Sequence, residues 1–199
     1  MKRILILGAG LVARPIVHYL TEMEGATVTV ATRTVAKAEA LVAGRPRSRA
    51  VTLDVIRDEA GLEKRITESD IAVSLLPATE HARVARLCLK HGKMMATTSY
   101  ISPEMRALDT DARSAGLTFI NECGVDPGLD HMSAMRVIHA AAAEGATVES
   151  FRSYCGGLPA PEANTNPIGY KFSWAPRGVL VAATNPARYR QDGEIVEIP

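Results

Sequence analysis

A doubly wound α/β fold of the Rossmann type, followed by the start of a second α+β domain, is the architecture this sequence predicts. Three observations predict it. β-rich apolar runs alternate with helical patterns as far as residue 121. A Gly-x-Gly-x-x-Ala loop joins the first run to the first helical pattern. Beyond residue 150 the residue usage shifts, with six of the nine aromatics and six of the eleven prolines, so a different structural unit is expected, starting near residue 128.

In order along the chain, residues 3–7 (RILIL) form a near-continuous apolar run that suits a strand buried on both faces. Residues 11–23 have amphipathic periodicity, 26–31 read as the second strand and 35–42 as a helix. Residues 49–53 and 70–76 are strands with a helix at 58–66 between them. A helix at 80–91 leads to a strand at 93–98; a helix at 103–115, started by Ser102, Pro103 and Glu104, leads to a sixth strand at 117–121. Strand–helix alternation of this kind implies a parallel sheet covered on both faces by right-handed crossovers. A helix at 127–143 then runs off the sheet, and Asp192-Gly193 marks a hairpin turn near the end. The expected division is a dinucleotide-binding domain at 1–127 and a partial substrate or dimerisation domain at 128–199.

Composition narrows the partners. Lys+Arg number 23 against 22 Asp+Glu, so there is no basic field, and neither nucleic acid nor an anionic membrane is an expected partner. Cys88, Cys123 and Cys155 stand at unrelated spacings that give no zinc pattern and no even disulfide set, so no metal is expected. Reduced thiols point to a cytoplasmic protein. The start, MKRILILGAGLVA, mimics a signal peptide, but Gly8 and Gly10 interrupt its apolar run. No stretch reaches eighteen apolar residues, so no transmembrane helix is expected.

The loop GAGLVA carries the first chemistry. Gly8 permits the tight turn, Gly10 lets the backbone approach a pyrophosphate, and Ala13 allows close helix–strand packing. The helix opened by Leu11, Val12 and Ala13 would stabilise phosphate charge at its N-terminus. At the end of strand two, where an NAD site usually places a carboxylate, the chain has Thr32 and Arg33. Arg33 can pair with a 2′-phosphate, which favours NADP, with NAD as the second choice; otherwise it is a solvated charge at a strand end. Asp54 after strand three lies either near the adenine or at the cap of the next helix. SLLP, residues 74–77, should border the nicotinamide ribose. Beyond strands five and six, TTSYISPEM and NECGVDPGLDH bring Ser99, Tyr100 and Asp126 into the same layer.

At these residues the chain resembles the saccharopine dehydrogenase family, in its glutamate-forming saccharopine reductase branch. The resemblance rests on GAGLVARP, TTSYISPEM, NECGVDPGLDHM and above all on SYCGGLPAPE followed by NPIGYKFSWAPRGVL. It implies that Gly8, Gly10, Leu11, Val12, Ala13, Thr32, Arg33, Asp54, Val55, Leu76, Thr98, Val125, Asp126 and Pro127 contact the cofactor, and that Trp174 reaches the nicotinamide end. It also implies that Ser99, Tyr100 and Asp126 touch saccharopine, with Tyr100, Asp126 and Cys155 as the titratable catalytic candidates. The implied reaction interconverts saccharopine, NADP and water with glutamate, 2-aminoadipate 6-semialdehyde and NADPH, in an enzyme of lysine metabolism for which a homodimer is an open alternative. The Cys-Gly-Gly-Leu-Pro loop would form the far wall of the cleft. Members of the family run considerably longer than this chain, so a truncated member is expected, with a nearly complete dinucleotide site and poor saccharopine turnover. The rival readings are a related opine- or polyamine-forming dehydrogenase and a non-catalytic NADP-binding module.

Overall fold

The computed structural model describes residues 1–172, 176–182, 184 and 186–199. The chain divides into two compact units, Met1–Cys155 and Gly156–Pro199. The first is built on strands β1 (Lys2–Leu7), β2 (Ala26–Thr32), β3 (Ser48–Thr52), β4 (Ile71–Ser74), β5 (Met94–Thr97) and β6 (Phe119–Ile120). They form one parallel sheet in the order β3-β2-β1-β4-β5-β6. The crossovers are α1 (Ala13–Glu22), α2 (Val35–Val42), α3 (Glu59–Thr67), α4 (His81–Lys90) and the pair α5 (Pro103–Arg106) and α6 (Asp109–Ser114). The chain winds outward from β1 in one direction and then from β4 in the other. That reversal opens a crevice at the carboxyl ends of β1 and β4, where ligands of such sheets bind.

Both faces of the sheet are buried, as the unbroken apolar run of β1 requires. Ile4, Ile6, Val28 and Val30 pack with Val17 of α1 and Ala38 of α2. Leu5 and Leu7 point the other way, into Leu62 and Ile66 of α3 and Val84, Ala85 and Cys88 of α4. The amino ends of β1 and β4, opposite the crevice, are pinned by charge. Asp70, just before β4, accepts from the Arg3 backbone N–H at 2.8 Å and from Arg3 Nη2 at 2.7 Å, which holds its carboxyl well below the usual range.

The strands expected at 70–76 and 117–121 shorten to Ile71–Ser74 and Phe119–Ile120, and three helices differ from the sequence expectation, each for a local reason. The helix expected at 11–23 begins at Ala13, because residues 10–12 are used in the glycine turn. The helix expected at 103–115 is divided into α5 and α6. Leu108 N–H bonds back three residues to Met105 O, which interrupts the α-helical ladder while Leu108 packs on the core. The helix expected from 127 starts two residues later, as α7 (Leu129–Ala143), after a cis Asp126–Pro127 bond and Gly128 at φ +149°.

The second unit holds α8 (Pro176–Ala182) and an antiparallel hairpin, β7 (Ala187–Gln191) with β8 (Glu194–Ile198). Its turn is the expected Asp192-Gly193, both at positive φ as a tight primed turn requires. Asn166 braces the preceding loop, donating to Tyr170 O at 2.9 Å and accepting from Ile168 N–H at 3.0 Å. Among the described residues no helix is long and apolar enough to cross a membrane.

Candidate active site

The glycine loop is held between the ends of β2 and β4. Gly8 N–H donates to Ala31 O, and Leu75 N–H donates to Leu7 O, both at 2.9 Å. Gly8 sits at φ +110°, and a Cβ there would lie 2.9 Å from Leu75 O, so the fold itself demands glycine. Gly10 differs: a Cβ on it would meet nothing within 4 Å. The space over Gly10 is open, as a pyrophosphate path must be. Leu11 and Val12 are 74% and 55% exposed, whereas Ala13 is fully buried against the sheet. No side chain caps α1 and no acid stands in its first turn. Ala13 N–H is taken by Gly10 O at 3.2 Å and Pro15 has none, so the amides of Leu11, Val12 and Arg14 are left to present positive charge at this end. A dinucleotide pyrophosphate fits this cradle.

Across the crevice, Thr32 is half-buried at the end of β2. Arg33 is exposed, with no ion-pair partner among the described residues. Asp54 closes a turn through Oδ1, which accepts from Ile56 N–H at 3.0 Å and Arg57 N–H at 3.3 Å. Helix α3 is capped by Asp58 instead, which accepts from Gly61 N–H at 2.8 Å. Val55 is 8% exposed and its carbonyl accepts from Arg83, so only a small part of Val55 is available to a ligand. Leu76 is half-buried and packs against the Leu5 side of the core.

The opposing wall follows β5 and β6. The Tyr100 hydroxyl donates to Asp126 Oδ1 at 2.6 Å. The 121–128 turn that presents Asp126 is closed by Gly124 N–H to Pro127 O at 2.8 Å and by Leu129 N–H to Gly124 O at 3.0 Å. A Cβ on Gly124 would sit 3.1 Å from Pro127 O and 3.3 Å from Thr98 O, so the turn packs against Thr98. Val125 is exposed at its tip. Asp130 Oδ1 accepts from Gly128 N–H at 3.0 Å and pairs with His131 Nδ1 at 2.7 Å. The hydrogen bond to Asp126, burial, and the charges of Asp126, Asp130 and Glu122 push the Tyr100 phenol up to about 12. Cys155 is exposed, and partial desolvation with the charges of Asp126 and Asp130 pushes its thiol up as well. Tyr100 and Cys155 therefore keep their protons at neutral pH. Trp174 lies outside the described residues.

One cluster here went unmarked in the sequence. His81, the first residue of α4, is 2% exposed beneath the carboxyl ends of β4 and β5. Its Nδ1 lies 2.8 Å from Ser74 Oγ, and its Nε2 lies 2.8 Å from Ser99 Oγ and 3.0 Å from Thr97 Oγ1. Burial pushes the imidazole down to about 4, so it is neutral. The signal was available as a histidine opening a helix seven residues after Ser74, with hydroxyl residues at 97 and 99 ending the neighbouring strand. Ser74 and Thr97 face each other in the sheet register, which is why one ring reaches both.

A parallel sheet in this order, with an open glycine cradle at its reversal and a hydroxyl- and carboxylate-bearing wall beyond β5 and β6, defines a dinucleotide-binding domain of the Rossmann class. Residues 4–120 match the family described as Saccharopine dehydrogenase NADP binding domain, and residues 124–199 match Saccharopine dehydrogenase C-terminal domain. The chain belongs to the saccharopine dehydrogenase family, and residues 4–120 are an NADP-binding domain of that family. It is 50% identical over 198 residues to saccharopine dehydrogenase (NADP(+), L-glutamate-forming) of Schizosaccharomyces pombe, covering 100% of this chain and 44% of that one. To the Saccharomyces cerevisiae protein of the same name it is 45% identical over 194 residues, covering 98% and 43%. Mitochondrial alpha-aminoadipic semialdehyde synthase of Mus musculus is 42% identical over 197 residues, covering 99% and 21%. The solved apo structure of histidine-tagged S. cerevisiae saccharopine dehydrogenase (L-Glu forming) superposes with a TM-score of 0.84 at 44% identity, covering 100% of this chain and 44% of that one. The chain spans less than half the length of these curated relatives.

Proposed function

We propose that the protein interconverts saccharopine, NADP and water with L-glutamate, 2-aminoadipate 6-semialdehyde and NADPH. The observation that carries this reading is 45–50% identity along nearly the whole chain to relatives named for that cofactor and product. NADP, when bound, supplies the hydride acceptor. A C–H bond beside the secondary amine breaks and the amine nitrogen loses a proton, giving an imine. Water adds to the C=N bond, and the carbinolamine divides into glutamate and the semialdehyde.

The chain's own residues bind, orient and manage protons. The amides at the start of α1 receive the pyrophosphate, and the open face of Gly10 lets it approach. Arg33 meets the 2′-phosphate through charge-assisted hydrogen bonds worth about 1.5–3 kcal/mol each. Thr32, Leu76, Thr98 and the 125–127 turn border the rest of the dinucleotide. Asp126, with Oδ1 engaged by Tyr100, offers Oδ2 to the substrate's amine and accepts its proton. Tyr100 fixes that carboxylate and stays a donor. Cys155, holding its proton in the field of Asp126 and Asp130, serves as a thiol donor and not as a base. Ser99 donates to the substrate. In this reading residues 1–127 bind the cofactor, residues 128–199 begin the substrate and dimerisation domain of a homodimer, and the setting is cytoplasmic.

The test is NADPH formation from saccharopine and NADP, with glutamate identified as the product, on the 199-residue chain and on a form extended to the length of its relatives. Saccharopine-dependent NADPH formation by the extended form is expected. If neither form turns over saccharopine while both bind NADP, the assignment fails.

A further inference from the structure

We propose that His81 is a positioning residue whose Nε2–H holds the Ser99 oxygen, turning the Ser99 hydroxyl proton outward as a donor to a carboxylate oxygen of the substrate. The proposal rests on the reading above that places Ser99 at the substrate.

The protons of a buried cage fix the tautomer of the ring. Ser74 is 0% exposed, and its hydroxyl has one partner among the described residues, His81 Nδ1 at 2.8 Å. If Nδ1 carried the ring proton, Ser74 would accept it and its own proton would be left buried without an acceptor, an unfavourable state. Nδ1 is therefore the acceptor, and the single proton of the neutral ring sits on Nε2. Thr97 Oγ1 lies 3.4 Å from Nδ1 and 3.0 Å from Nε2, off the axis of both ring nitrogens, so the tautomer is decided by Ser74. Nε2–H then donates to Ser99 Oγ at 2.8 Å.

The consequence falls on Ser99. Its oxygen receives a hydrogen bond from the cage, and Nε2, already protonated, cannot accept in return. Ser99 is half-buried where Ser74 and Thr97 are closed off, and it directly precedes the tyrosine that binds Asp126. Its proton is left for the open side. A hydroxyl fixed as a donor selects an acceptor oxygen, and among the groups of the proposed substrate that is a carboxylate.

Two measurements decide this. Long-range 1H–15N NMR on the free protein reads the His81 tautomer; Nε2–H is expected, and Nδ1–H overturns the proposal while leaving the substrate reading of Ser99 intact. Calorimetry then follows saccharopine binding to the NADP-saturated protein extended to the length of its relatives. His81→Asn and Ser99→Ala should each weaken it about tenfold, and the double variant no further, with NADP affinity unchanged. His81→Gln, whose amide N–H reaches the Nε2 position, should recover most of the loss, which a purely structural role would not produce. Saccharopine affinity unchanged in His81→Asn, or additive losses in the double variant, overturns the proposal. Affinity unchanged in Ser99→Ala, or no saccharopine binding by the parent protein, overturns both this proposal and the substrate reading.

Discussion

Lowering the pH from 7 to 5 should destabilise this protein chiefly through His81. The folded ring titrates at about 4, against about 6.5 for a solvated histidine, because burial among hydroxyls disfavours its charged form. The unfolded chain therefore takes up the proton at a higher pH than the folded one, and stability falls as pH falls through that window. Each pH unit inside it costs about 1.4 kcal/mol, so pH 5, about one and a half units below the unfolded value, costs about 2 kcal/mol. The ring's polar neighbours are Ser74, Thr97 and Ser99, and none can offset a charge. The depressed carboxylates Asp70, Glu63, Glu104 and Asp130 contribute stability that is lost only at lower pH, as each falls through its own folded value. His18 is also lowered, but it is common to any pair of variants and cancels in their difference. Urea unfolding of the parent protein and of His81→Gln at pH 7 and pH 5 reads the effect. The parent should lose about 2 kcal/mol more than the variant between the two pH values. Equal losses would refute the reasoning, since they would mean that the ring is not buried neutral.

The other predictions concern the cradle and the turn beyond β6. Arg33→Asp should weaken NADP binding at least tenfold, about 1.4 kcal/mol, in a calorimetric titration; unchanged NADP affinity would remove Arg33 from the 2′-phosphate. Gly10→Val should abolish dinucleotide binding with little change in melting temperature, because a Cβ there meets only open space in the protein itself. Retained binding would show that the cofactor enters elsewhere. Gly128→Ala should destabilise the fold by about 2 kcal/mol or more, since φ is +149° and a Cβ would press on Gly124 and on Glu122 O. A denaturant midpoint within error of the parent would contradict the turn geometry described.

The sheet was legible because its signals are local and repeated. The alternation of Ile4 and Ile6 with Leu5 and Leu7, each pair buried in a different core, is the pattern a two-sided strand must carry. The glycine loop was legible because Gly8 and Gly10 stand between a strand and a helix, though only the structure separates their roles: one avoids Leu75, the other keeps open space. The Tyr100 to Asp126 bond joins residues 26 apart, and spacing alone gives no contact between them; the topology of β5 and β6 does. His81 was missed for the same reason, because its partners lie on two strands that become neighbours only in the folded sheet. The break between α5 and α6 was invisible to periodicity, since Met105, Leu108 and Ala112 keep helical spacing across it.

The central claim is that NADP lies across the carboxyl ends of β1 and β4, over the glycine loop and against the turn beyond β6. A 1H–15N NMR titration of the protein with NADP tests it directly. Amide shifts are predicted at residues 8–13, at Thr32 and Arg33, at Leu75 and Leu76, at Thr98 and at Val125 and Asp126. Shifts confined to other parts of the chain, or no saturable shifts at all, would contradict it.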